Sequence, residues 1–401
     1  MAEPVRHGTV ERALLAYVLV VELLLTLSPF RFSWRTDWDI SWLGDLSDAP
    51  ANMLLFLPVG YFVRLALQRS HPHPVRNAVL WGALLSTCVE VLQLFLPDRL
   101  SSISDILSNA AGAGAGALLC GAMRRRFDRM LPAMLTLEHP LLNLVYLTVP
   151  LMWLTGVGVE TEPARVWLLA PLGAMGALIL SGLWRHRFAV AADIPRPALA
   201  LAVLGWFLFG AVTGLNHGPL VVAQSAFVIF VLTLLRLYVG RPVGAFDRRF
   251  EHKVLTGVWP CFVVYLVMLV WWPPVTSLLP FDFAVGYPEM VFNRDSTLRI
   301  AEQLGALTVF GYLLAESRGR SALPTRLLQR RNMLWGVGCA LLLELGHGFL
   351  PNDRASLWRW ALGALGAGFG VTLYAAQLSV MQVLRGRRQN EGPGTWADHQ
   401  G

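Results

Sequence analysis

Twelve apolar runs follow one another along this chain, near 11–30, 51–68, 78–96, 103–123, 141–159, 166–184, 197–216, 219–239, 254–276, 300–316, 333–350 and 357–382. As helices, runs of roughly 17 to 25 residues cross the hydrocarbon core of a bilayer. Hydrocarbon offers no water to backbone N–H and C=O groups, so only helices and closed barrels cross it. The chain is therefore an all-α polytopic membrane protein with about twelve transmembrane helices. Its charged share agrees, at 15% against about 25% for a soluble domain.

The runs fall into three blocks of four: 1–130, 131–250 and 251–385, with a polar, Gly-rich stretch at 386–401 read as a disordered cytoplasmic tail. The first and third blocks echo one another. Gly60-Tyr61 returns as Gly311-Tyr312, an offset of 251, and Glu90 with Phe95-Leu96-Pro97 returns as Glu344 with Phe349-Leu350-Pro351, an offset of 254. Ser28-Pro29-Phe30 matches Leu279-Pro280-Phe281 on the first offset, and Leu80-Trp81-Gly82 matches Leu334-Trp335-Gly336 on the second. Four helices are an even number, so the two copies enter the membrane in the same direction, as a parallel repeat. The middle block shows no third copy and reads as a spacer or lateral packing unit.

Orientation follows from the basic residues, which are retained on the cytoplasmic side. With the N-terminus inside, 25 of the 33 Lys and Arg residues fall in inside segments, and 8, among them Arg99, Arg165 and Arg359, fall outside or at outer helix ends. Both termini are then cytoplasmic, in the cytoplasmic (inner) membrane. The first run carries Glu22 and no small-residue cleavage site after it, which makes it an uncleaved helix rather than a signal peptide. The net charge of +7 is thus a topology and lipid-contact signal, and no nucleic-acid partner is implied. The four cysteines, Cys88, Cys120, Cys261 and Cys339, lie within spans without metal-ligand spacing and read as packing residues. No cofactor or metal motif is present.

The polar residues of the first block collect at outer helix ends: Asp48 and Asn52 one turn apart; Ser86, Glu90 and Gln93 on one helix face; the turn Pro97-Asp98-Arg99; and Asp105, Asn109, Gly112 and Gly116 on another face. A carboxylate facing lipid costs about 2.5 to 3.5 kcal/mol or more, so Glu90 and Asp105 must turn inward and find partners. Arg99 is the natural one, because a guanidinium can bridge two carboxylates or grip a phosphate through two N–H groups.

Pro29-Phe30, Asn52-x-x-Leu55-Phe56-x-Pro58-x-Gly60, Ser86-x-x-x-Glu90-x-x-Gln93, Arg99 and Asp105-x-x-x-Asn109-x-x-Gly112-x-x-x-Gly116, in that order, resemble the VanZ-like family of membrane proteins over about residues 25–122. The resemblance implies two parallel VanZ-like four-helix repeats flanking the middle block, the second, diverged, at about 275–375. It also implies cell-envelope or exopolysaccharide biology, with a founding member linked to resistance to the glycopeptide teicoplanin. Three functions remain open. An outward-facing pocket of Asn52, Glu90, Gln93, Arg99, Asp105 and Asn109 can bind a membrane lipid, specifically the headgroup of a phosphorylated lipid or lipid-linked glycan. An enzyme acting on such a lipid would use Glu90 or Asp105 as acid-base. A proton-coupled transporter would use the parallel repeat.

In the third block, Asp105 is replaced by Arg359, Asn109 by Gly363 and Gln93 by His347, while Glu90 is kept as Glu344. Arg359 can therefore neutralise Asp105 across an interface between the blocks, or Glu344 within its own. Glu344 and His347, three residues apart on a helix, resemble an acid-base pair.

Overall fold

In the computed structural model, residues 9–34, 40–42, 49–67, 73–97, 99–128, 140–185, 195–239, 249–274, 277–285, 294–319, 326–351 and 353–390 are described. Among them are twelve α-helices. The first block holds α1 (Thr9–Leu27), α2 (Ala49–Leu67), α3 (Pro74–Gln93) and α4 (Ile103–Asp128). The middle block holds α5 (Pro140–Val157), α6 (Leu169–Leu183, entered through a 3-10 turn at Pro163–Leu168), α7 (Arg196–Gly210) and α8 (Pro219–Val239). The third holds α9 (Arg249–Trp271), α10 (Arg294–Arg318), α11 (Arg326–His347) and α12 (Leu357–Asn390). Nine of these are long and apolar enough to cross a membrane. The other three expected spans fall short: α1 carries Glu11, Arg12 and Glu22, α7 has 15 residues, and α11 opens with Arg326, Arg330 and Arg331. The last helix continues to Asn390, five residues into the stretch expected to be a tail, and 391–401 lie outside the described residues.

The first and third blocks use the same helix pairings, α2 against α4 and α10 against α12 being the most intimate. Small residues allow it. A Cβ on Gly60 would run into the Ala113 carbonyl and one on Gly116 into the Leu57 carbonyl; in the third block Gly311 meets the Ala367 carbonyl and Gly370 the Thr308 carbonyl in the same way. Backbones this close are the usual device of membrane helix pairs, where dispersion must do what the hydrophobic effect cannot.

At one end of each block a two-residue parallel ladder ties two connections together. β1 (Ile40–Ser41) pairs with β2 (Ser101–Ser102), and β3 (Phe283–Ala284) pairs with β4 (Ala355–Ser356). The Ser33 N–H donates to the Phe95 carbonyl, and the Leu279 N–H to the Phe349 carbonyl. This pairing corrects one sequence match. Leu279 occupies the place of Ser33, and the residues that follow α9, Trp272-Pro273, are the counterparts of Ser28-Pro29 that follow α1. A Pro-Phe dipeptide carries little positional information, whereas a ladder and two helix ends define a register.

Within the middle block, α5 is not lateral. Along α5, Leu141, Leu144, Leu147, Leu151, Met152 and Trp153 are all fully buried, and the helix packs against α1, α6, α7 and α10. The tyrosine following each equivalent glycine reaches it: the Tyr61 and Tyr146 hydroxyls are 3.2 Å apart, the Tyr312 hydroxyl donates to the Pro140 carbonyl at 3.0 Å, and Asn143 Nδ2 donates back to Tyr312 at 3.2 Å. Tyr17 of α1 adds a hydroxyl to the Leu147 carbonyl at 3.4 Å. Both outer blocks therefore hold α5 between them. Of the cysteines, Cys120 is buried, Cys261 and Cys339 are half-buried, and Cys88 is exposed on the bundle surface rather than packed.

Candidate functional site

α3 turns Ser86, Val89, Glu90 and Gln93 inward, and their spacing brings them to the start of α4. There Glu90 Oε2 accepts the Ser102 N–H at 2.8 Å and lies 3.0 Å from the Ser101 hydroxyl. That hydroxyl is also 3.0 Å from the Glu90 carbonyl, so its single proton serves one or the other. The first N–H groups of a helix have no partner within it, and a carboxylate there is favoured by the helix dipole as well. One turn along α4, Asn109 Nδ2 donates to Ser86 Oγ at 2.9 Å, leaving its buried Oδ1 without a partner among the described residues. Gln93 Nε2 donates to the Thr26 carbonyl at 3.1 Å and Arg99 Nη2 reaches the Leu25 carbonyl at 3.5 Å, so both reach the end of α1. Asp105 is half-buried and close enough for its charge to act on Glu90. Asn52 is half-buried on α2. Asp48 and Asp98 lie outside the described residues.

The third block keeps the carboxylate and changes what answers it. Glu344 Oε1 accepts the Ser356 N–H at 2.6 Å, the counterpart of Ser102 on Glu90. The rest of the site belongs to Arg359. Its Nε lies 2.9 and 3.0 Å from the two Glu344 oxygens, its Nη1 3.0 and 3.2 Å from those of Asp353, and its Nη2 donates to the Arg354 carbonyl at 2.6 Å. Gln303 Nε2, on α10, adds a bond to Glu344 at 3.3 Å.

Of the two pairings open to Arg359, the structure shows the one within its own block: Arg359 is 8% exposed, and its guanidinium is spent on Glu344, Asp353 and Arg354 rather than on Asp105. The α11–α12 connection delivers Asp353 and Arg359 to the same place at no cost in long-range ordering. One expectation is corrected: His347 is not paired with Glu344. Its Nδ1 sits 2.8 Å from Asp353 Oδ2, off the line of an ideal hydrogen bond. Burial alone would raise the Asp353 carboxyl, but the adjacent His347, then Arg359 and the Arg354 N–H, hold it well below the usual carboxylate range.

A third polar centre was not singled out by the sequence reading. Arg165 Nη2 lies 2.6 Å from Glu302 Oε2, with the residues 4% and 2% exposed, and Glu302 Oε1 also accepts from Thr155 at 2.7 Å and Tyr265 at 3.3 Å. Arg165 reaches Glu162 at 3.8 Å, Glu162 meets Arg299 at 2.9 Å, and Glu160 meets Arg294 at 2.9 Å. The available signal was Glu302 inside an apolar run, needing a cation from elsewhere in the chain. Among the described residues, no three His, Cys, Asp or Glu side chains are grouped to hold a metal ion.

The helices and these buried carboxylates define a multi-pass, all-α membrane protein whose polar chemistry is concentrated at one end of each outer block. Residues 7–124 match the model of the VanZ/LLP1 family, and this segment, which contains the whole Glu90 site, is a VanZ-like domain. No curated protein and no solved structure shows significant similarity to the chain.

Proposed function

We propose that the VanZ-like domain binds the headgroup of a phosphorylated lipid or lipid-linked glycan at the outer face of the cytoplasmic membrane, in cell-envelope glycopolymer biology. In this reading both termini are cytoplasmic and the α9–α12 block is a second, diverged VanZ-like domain. The observation that carries it is the meeting of Glu90, Gln93, Arg99 and Asn109 at the junction of α1, α3 and α4. Arg99 is half-buried at the rim and carries a guanidinium, a group that can grip phosphate through two N–H groups, while Asn52, Gln93 and Asn109 supply amides suited to hydroxyls. The buried, unpartnered Asn109 Oδ1 is an acceptor that a sugar or glycerol hydroxyl would satisfy. Glycopeptide resistance and exopolysaccharide biology are contexts in which such binding would act.

Native mass spectrometry of the purified protein, with lipid analysis of what it retains, tests the reading. Wild type is expected to carry a phosphorylated lipid that Arg99→Ala and Asn109→Ala variants lose. Identical lipid profiles in all three would overturn it.

A further inference from the structure

Glu22 lies in α1, one turn before Thr26, and is 1% exposed. Among the described residues, neither of its carboxylate oxygens has a hydrogen-bond partner and no charged side chain acts on it. The other buried glutamates discussed above are answered differently. Glu90 has Ser101 and Ser102, Glu302 has Arg165, Thr155 and Tyr265, and Glu344 has Arg359 and Ser356. An ionised carboxylate taken out of water without a cation or donors costs several kcal/mol, which addition of one proton avoids.

The position of Glu22 connects it to the polar end of the VanZ-like domain. Its own carbonyl accepts the Thr26 hydroxyl at 2.7 Å, the Thr26 carbonyl accepts Gln93 Nε2 at 3.1 Å, and Arg99 reaches the Leu25 carbonyl. The carboxyl therefore belongs to the turn below the one that Gln93 and Arg99 hold, about 6 Å deeper along the helix axis. α1 also packs against α2, α3, α5, α10 and α12, so Glu22 sits on the helix shared by both outer blocks and the central helix.

We propose that Glu22 is a proton-binding site, held as the neutral acid, whose proton exchanges with water admitted through the Gln93–Arg99 end of the domain. Release breaks the carboxyl O–H bond, passes the proton to a water molecule and leaves the carboxylate; rebinding reverses it. This goes beyond headgroup binding and does not depend on it.

Infrared spectroscopy of the full-length protein in phosphatidylcholine vesicles reads the proton directly. The wild-type minus Glu22→Gln difference spectrum is expected to show the C=O stretch of a protonated carboxyl, shifting to lower frequency in D2O. Ionised-carboxylate bands in its place would overturn the proposal. If Glu22→Gln fails to fold, Glu22→Asp retains an acid, so its protonated band must move in frequency; an unchanged spectrum is the negative result. A Gln93→Ala variant is expected to speed hydrogen–deuterium exchange of the band, and an unchanged rate would remove that route. Because the readout is a proton and does not depend on a headgroup being bound at the Gln93–Arg99 end, its failure leaves the headgroup reading standing, and the reverse also holds.

Discussion

The α1–α4 and α9–α12 blocks share a frame and differ in its centre. In both, glycines bring the second and fourth helices into backbone contact, a two-residue ladder joins the connections, and a serine N–H at the start of the fourth helix clasps a glutamate from the third. In the VanZ-like domain that glutamate is held by neutral donors, Ser101 and Ser102. In the other block a side chain of the protein itself, Arg359, occupies the glutamate with both carboxylate oxygens engaged. The positions are also exchanged in sign: Arg99 and Asp105 stand where Asp353 and Arg359 stand 254 residues later. A frame made of close glycine contacts and backbone ladders thus accepts different charge arrangements, because neither of those contacts involves the charges.

The comparison breaks first at Arg359. Arg359→Ala strands Glu344 and Asp353 in a buried site and is expected to destabilise the protein by about 3–5 kcal/mol, seen as lost thermal stability in detergent size-exclusion assays. Glu344→Gln with Arg359→Met should recover part of it, since the one carboxylate left without the guanidinium, Asp353, still has His347 2.8 Å away. A shared frame next predicts similar damage from Gly60→Ala and Gly311→Ala, about 1–3 kcal/mol each from forced helix separation. Harm from only one of them would show that the blocks pack differently.

Glu90→Ala should cost about 1–3 kcal/mol by leaving the Ser102 N–H unpaired, less than the loss of Arg359. For Asp353, whose folded carboxyl lies below its unfolded value, the stabilising contribution is fully present above the ordinary Asp range and is lost only as pH falls through the depressed value. His347→Gln removes the leading cause of that depression, so acid-induced loss of thermal stability should begin at a less acidic pH. The smallest effect belongs to Ser101→Ala: alanine already stands at the equivalent Ala355, and a change within about 1 kcal/mol is expected for one neutral hydrogen bond.

Much of this was legible in the chain. Nine of the expected spans, the small-residue stripe on the fourth helix and the inward turn of Glu90 follow from apolar length, from spacing and from the cost of a charge in lipid, all of which are local properties. Partners were not legible. On paper Arg359 is answered as well by Asp105 across an interface as by Glu344 within its own hairpin, and only the α11–α12 connection selects the second. The counterparts of Ser28-Pro29 were misplaced because dipeptide identity ignores the ladder that sets register. Arg165 looked like a loop residue until α5, packed against both the 3-10 turn that carries it and α10, brought it to Glu302.

The sequence by itself determined that this is a multi-pass helical protein, that its first 124 residues contain a VanZ-like domain, and which carboxylates must avoid lipid, because each follows from the solvation of a segment taken alone. Only the tertiary structure decided that α5 is the central helix, that Arg359 serves its own block, and that Glu22 is buried with no hydrogen-bond partner among the described residues. Those outcomes depend on which helices approach one another. That is decided by packing summed over the whole molecule, to which any single residue contributes no more than a few kcal/mol.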